Sequence, residues 1–144
     1  KGLLYMSRLI TPQMVERKKG HIINIGSISS REVYVGGNVY CATKHAVLAL
    51  SQGMRMDLLP FGIKVTHVSP GAAETEFSIT RFHGDVEKAK KVYDGFDPLI
   101  AEDIANVVSY VVSLPERVCI NEINLTCTAQ FNGIIIKELP QNEK

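Results

Sequence analysis

Gly20-His21-Ile22-Ile23-Asn24-Ile25-Gly26-Ser27 is the stretch on which the fold turns. It is short, apolar, rich in β-branched residues and bounded by glycines, the pattern of a strand buried on both faces. The segment from Val39 to Leu59 has no internal proline and carries Ala42, Ala46, Leu50 and Met54 at helical spacing. Pro60 and Gly62 mark its end. Ile63-Lys64-Val65-Thr66-His67-Val68 reads as a second strand, closed by Ser69-Pro70-Gly71. Strand, helix and strand in this order make a βαβ unit with parallel strands and a right-handed crossover. The fold class is therefore α/β, with ligands expected beyond the carboxyl ends of the strands.

That edge carries the most specific pattern in the chain, Ser27-x12-Tyr40-Cys41-Ala42-Thr43-Lys44. Tyr40 and Lys44 lie one helical turn apart on one face. A free phenol titrates near pH 10, and a nearby ammonium favours its ionised form. A shift of about 3 units corresponds to roughly 4 kcal/mol. A phenol brought toward the working pH can exchange a proton with a carbonyl or alcohol oxygen. A serine hydroxyl beside it can hold that oxygen by a hydrogen bond. None of the three residues carries electrons, so redox chemistry here requires a hydride-carrying cofactor. Taken alone, Tyr-x-x-x-Lys is common on solvated helix faces, and a serine after a strand is often a turn residue or cap.

Taken together, Asn24-Ile25-Gly26-Ser27, Tyr40-Cys41-Ala42-Thr43-Lys44 and Pro70-Gly71-Ala72-Ala73-Glu74-Thr75 resemble the catalytic half of the short-chain dehydrogenase/reductase family. The resemblance implies a Rossmann-like, doubly wound parallel sheet. It implies Tyr40 as acid/base, Lys44 as the residue that tunes Tyr40 and bonds the nicotinamide ribose, and Ser27 as the group orienting substrate oxygen. Pro70, Gly71, Ala72, Ala73 and Thr75 would line the nicotinamide. Gly36-Gly37-Asn38-Val39-Tyr40, Thr75-Glu76-Phe77-Ser78, Arg81-Phe82 and Gly84-Asp85 are similar to one branch, the NADP-dependent 3-hydroxy acid dehydrogenases. That likeness implies NADP, with NAD as the alternative. It also implies Arg81 as partner of a substrate carboxylate, since a guanidinium matches a carboxylate bidentately.

The family's glycine-rich loop has no counterpart in these 144 residues. The expectation is that residues 1–144 are the C-terminal half of one such domain. A second reading is a non-catalytic half-domain that serves only to assemble oligomers. Family members associate through two helices, here 3–18 and 39–59, so the resemblance implies a homodimer or homotetramer.

The other elements fit one domain. Leu3 to Lys18 reads as an amphipathic helix with Leu3, Met6, Leu9, Ile10 and Met14 on one stripe, bent at Pro12. A loop is expected around Arg81, a solvated helix from Asp85 to Tyr93, and a further helix from Glu102 to Val112. Val118 to Thr126 reads as the last strand, and 130–144 as a polar tail without assigned structure. With 16 basic and 15 acidic residues the net charge is +1, and no cluster suggests nucleic acid. No apolar run suits a membrane span. Cys41, Cys119 and Cys127 lack metal spacing, as do the four histidines, so no metal site is expected. An odd set of three thiols suits a reducing, cytoplasmic setting. Cys41 reads as a small buried thiol.

Overall fold

A computed structural model describes residues 1–135. Three strands, β1 (His21–Ile25), β2 (Lys64–Pro70) and β3 (Glu122–Leu125), form a parallel sheet in the order β1-β2-β3. The register pairs Ile22 with Val65 and Ile25 with Val68, then Val68 with Ile123. The helices are α1 (Gly2–Glu16), α2 (Asn38–Leu58), α3 (Glu76–Arg81), α4 (Val86–Lys90) and α5 (Ala101–Ser113). The βαβ unit read from the sequence is β1-α2-β2. A two-stranded antiparallel hairpin, β4 (Gln130–Phe131) and β5 (Ile134–Ile135), ends the described chain.

The core sits where α2 crosses the sheet. Ile22, Leu58, Ile63 and Val65 form its buried cluster, with Met14, Val15 and Met54 packed against it. Each buried aliphatic side chain of this kind contributes roughly 1.5–3 kcal/mol. A polar seam continues it toward the carboxyl end. The Asn24 amide donates to Ser51 Oγ at 2.9 Å, and Ser51 donates to the carbonyl of Val47 at 2.7 Å. These bonds allow Asn24 and Ser51 to be buried between helix and sheet, where the His67 ring is buried with them.

Several expectations shift. The buried stripe of α2 is Cys41, Leu48, Ser51 and Leu58, while Ala42 and Ala46 are exposed. Alanine is small enough for either face, and the hydrogen-bonded Ser51 occupies a position that periodicity assigns to an apolar residue. No residue of α1 is buried, and Met6 and Leu9 are 58% and 68% exposed. Only the end of its stripe, at Met14, meets the core. α1 runs through Pro12 without a break in assignment.

The expected loop at Arg81 is instead helix α3, whose N-terminus is capped by Thr75 Oγ1 accepting from the Phe77 N–H at 3.3 Å. The expected helix 85–93 shortens to Val86–Lys90, with Asp85 as its cap. The last strand shortens to Glu122–Leu125, because only these residues find partners on β2. Within the tail, Gln130–Ile135 forms the hairpin, while 136–144 lies outside the described residues.

Candidate active site

β1 and β2 both end at one cleft, a cavity of about 330 Å³. Ser27 enters it directly after β1, Tyr40 from the first turn of α2, and Pro70, Gly71, Ala72, Ala73 and Thr75 from the end of β2. Arg81 lines it from the last turn of α3. The fold thus gathers these predicted residues around one space. Lys44 stands behind it rather than on its wall, its ammonium 5.7 Å from the centre of the Tyr40 ring.

Each polar group has a definite commitment. Ser27 caps the 3-10 turn Ile28–Ser30, its Oγ accepting from the Ser29 N–H at 3.1 Å. The cap often formed by a serine after a strand is therefore present here. It fixes the side chain yet uses only acceptor capacity, leaving the hydroxyl proton to donate. Lys44 Nζ donates to the carbonyls of Gly26 at 3.0 Å and Ile25 at 3.3 Å. An ammonium has three protons, so one remains for a ligand. Burial pushes the Lys44 ammonium down from its usual range.

Beneath Ser27 the packing is tight. A side chain at Gly26 would collide with the His67 imidazole, whose Cε1 and Nε2 lie close against that backbone. His67 is fully buried, its Nδ1 is 3.4 Å from Ser51 Oγ, and its Nε2 has no hydrogen-bond partner among the described residues. Burial pushes its pKa down, with Glu122 opposing and Lys44, Arg31 and Arg55 reinforcing the shift.

The β2 side of the cleft is held by residues that the motifs did not flag. The Ala72 N–H donates to Gln130 Oε1 at 2.8 Å, and the Ala72 carbonyl accepts from Leu99 N–H at 2.9 Å. Both backbone groups of Ala72 are thus committed within the protein. The Tyr93 hydroxyl donates to the Ala73 carbonyl at 2.8 Å and shares a 2.7 Å bond with Ser78 Oγ. Phe77 stacks at a tilt on Tyr40, with centroids 5.5 Å apart, and Tyr34 lies 6.5 Å away. Burial pushes the Tyr34 phenol up, partly offset by the charge of Arg81. Tyr34, Tyr93 and Gln130 carry no motif. Their only signal is position, just before Tyr40's helix and in the segments that return over the cleft.

No group of three or more histidine, cysteine, aspartate or glutamate side chains suited to a metal occurs among the described residues. No helix there is long and apolar enough to cross a membrane. Cys41 is buried, as expected, and all three cysteines are free.

A parallel sheet with a serine after its first strand and a tyrosine and lysine on the helix that follows defines a class, and sequence comparison agrees. The short chain dehydrogenase family model matches residues 1–85, and the chain belongs to that family. Among its relatives is the NADP-dependent 3-hydroxy acid dehydrogenase of Salmonella typhi. It is 46% identical over 138 residues, covering 94% of this chain and 56% of the relative. A protein of that same name from Schizosaccharomyces pombe is 44% identical over 119 residues, covering 83% of this chain and 46% of its own. A solved structure described as the closed form of serine dehydrogenase complexed with NADP+ superposes with a TM-score of 0.89 at 44% identity. That match covers 94% of this chain and 55% of that one. The chain spans about half the length of the curated relatives it matches.

Proposed function

We propose that this chain supplies the catalytic half of an NADP-linked oxidoreductase that moves hydride between the cofactor and a small 3-hydroxy acid. The observation carrying the reading is that Ser27, Tyr40, Arg81 and the Pro70–Ala73 segment line one cavity, with the Lys44 ammonium behind Tyr40. The names of the relatives support the cofactor and the substrate class. Residues 1–144 are read as the C-terminal half of one domain. The outer edge of β1 has no strand partner among the described residues, which is consistent with further strands continuing the sheet there.

The residues present suit one end of the cofactor. Lys44 keeps a proton for a ribose hydroxyl, and the Pro70–Ala73 segment with Thr75 offers a wall for a flat ring. With Ala72 committed at both backbone groups, its contribution is shape rather than hydrogen bonding. Nothing in the described chain supplies a glycine-rich turn for the pyrophosphate. When bound, the cofactor accepts or gives the hydride. Ser27 donates its hydroxyl proton to the substrate oxygen, and Tyr40 takes or returns that oxygen's proton. Lys44 supplies positive charge behind the phenol as its oxygen becomes negative. Arg81 binds the carboxylate.

Assembly through 3–18 and 39–59 is part of the same reading. Leu4, Tyr5, Met6 and Leu9 on α1 and Val39 and Met56 on α2 are more than half exposed, and apolar surface of this extent favours a partner. The alternative, an assembly module without catalysis, is separated by one experiment. Tyr40→Phe, made in the longest form the coding sequence specifies, should lower kcat/KM by about 10²–10⁴-fold and leave NADP affinity and melting temperature near wild type. Wild-type turnover in that variant refutes Tyr40 as the acid/base.

A further inference from the structure

Besides Phe77, a second aromatic ring, Tyr34, stands close to both groups assigned to the substrate. The Tyr34 ring centre is 6.5 Å from that of Tyr40 and 5.5 Å from Arg81 Cζ. All three residues line the same cavity. The position of Tyr34 is set by backbone. The Gly37 N–H donates to the Tyr34 carbonyl at 3.0 Å, closing a turn that folds the ring back onto Gly37. A Cβ on Gly37 would come within 2.5 Å of ring atoms Cε2 and Cζ, so only glycine lets the ring lie there. Arg81 is also 5.7 Å from the centre of the Phe82 ring. An exposed arginine on a six-residue helix thus gains two aromatic faces that limit where its guanidinium can go.

We propose that Tyr34 is a positioning residue that fixes the gap between Arg81 and Tyr40, and thereby selects acids by the number of carbons between carboxylate and hydroxyl. The inference rests on the reading that Arg81 takes the carboxylate and Tyr40 the hydroxyl proton. With Arg81 held against the Tyr34 ring and Tyr40 beside that same ring, a bound acid must span the distance the ring sets between them. An acid with its hydroxyl one carbon nearer the carboxylate cannot satisfy both groups at once. One missed charged hydrogen bond in such a site discriminates strongly.

The test uses 2-hydroxybutanoate and 3-hydroxybutanoate, isomers of equal charge that differ in hydroxyl position, with butane-1,3-diol as the uncharged control. It is run on the longest form that the coding sequence specifies, with NADP. Wild type should prefer 3-hydroxybutanoate over both other compounds. Tyr34→Leu should lose at least about tenfold of the 3-over-2 preference, mainly through KM, whereas Tyr34→Phe keeps the ring and should stay within about threefold of wild type. Gly37→Ala, which displaces the ring without removing it, should shift the preference in the same direction as Tyr34→Leu. Calorimetric binding of unreactive butanoate should weaken in Tyr34→Leu and not in Tyr34→Phe. A wild type that does not favour 3-hydroxybutanoate over the diol overturns the assignment of Arg81 and the proposal with it. A wild type that does, beside a Tyr34→Leu variant with an unchanged 3-over-2 ratio, overturns the spacer alone.

Discussion

The two faces of β1 are covered very differently, although five residues of one strand supply both. Ile22 and Asn24 point toward α2 and are 7% and 6% exposed. Ile25, on the other face, is 48% exposed, and with Ile23 it borders an open apolar groove against Ala105, Val108 and Val112 of α5. One strand later the asymmetry is gone. Val65 and His67 on the α2 face and Thr66 and Val68 on the α5 face are all fully buried. The sheet is thus closed on both sides at β2 and on one side only at β1. Side chains there alternate apolar on both faces, as in a strand meant to be covered twice. The site hangs from the closed region: Asn24, Ser51 and His67 form the seam directly beneath Gly26 and Ser27.

The largest effect should come from breaking that comparison with alanine. In the 144-residue chain, Ile22→Ala removes a core contact and should destabilise by roughly 2–5 kcal/mol. Ile25→Ala should cost less than about 1 kcal/mol, because its side chain remains half in water. Urea unfolding measures both. In a longer form of the protein whose added residues cover the second face, the Ile25 variant should become nearly as damaging as the Ile22 variant. Equal costs in the 144-residue chain would mean that the groove beside α5 is closed in solution. A persistent difference in the longer form would remove the support for reading this chain as half of one domain.

A smaller effect should follow from acid, and it sharpens the comparison by acting only beneath the closed face. The buried His67 ring holds a proton less well than it would in the unfolded chain. Between its ordinary value of 6.5 and its lower folded value the unfolded state binds more protons, so stability should fall as pH drops through that window. Substitution His67→Gln should flatten the stability profile below pH 6.5. His21, also shifted down but only partly buried, should contribute less. A profile unchanged by His67→Gln would show that the ring is not the group that titrates.

The βαβ unit and the meeting of Ser27 and Tyr40 were legible because they follow from periodicities of two and 3.6 and from spacing along the chain. So was the edge of the sheet that carries them. What was not legible depends on partners distant in sequence. Periodicity chose Ala42, Ala46, Leu50 and Met54 for α2, yet the buried stripe runs through Ser51, because Asn24 of β1 donates to its hydroxyl. The stripe on α1 promised a buried face, but the chain offers it a surface only near Met14. Tyr34, Tyr93 and Gln130 reach the cleft through a turn, the segment after α4 and a hairpin, whose positions depend on tertiary contacts. Arg81 was marked by the family likeness and its match to a carboxylate, but its seat against Tyr34 depends on how Gly37 folds the turn.

The smallest expected effect concerns how the turn after Ser27 is tied to the far strand. Arg31, at the end of the 3-10 turn, forms a bidentate pair with Glu122 of β3, with Nε and Nη2 donating at 2.8 and 2.6 Å. The hydrogen bond from Arg31 holds the Glu122 carboxyl below its usual range, with burial opposing. A carboxylate whose folded pKa is depressed stabilises above its unfolded value of about 4.5, and that contribution is lost as pH falls through the folded value. The Arg31 side chain is 54% exposed, so solvent screening limits the pair to less than about 1 kcal/mol. Glu122→Gln should therefore lower stability by that small amount at pH 7 and by nothing measurable once the carboxyl is protonated, and added salt should shrink the difference at neutral pH. A loss that persists unchanged in acid would mean that Glu122 acts through packing against His67, its partner across the β2–β3 register, and not through its charge.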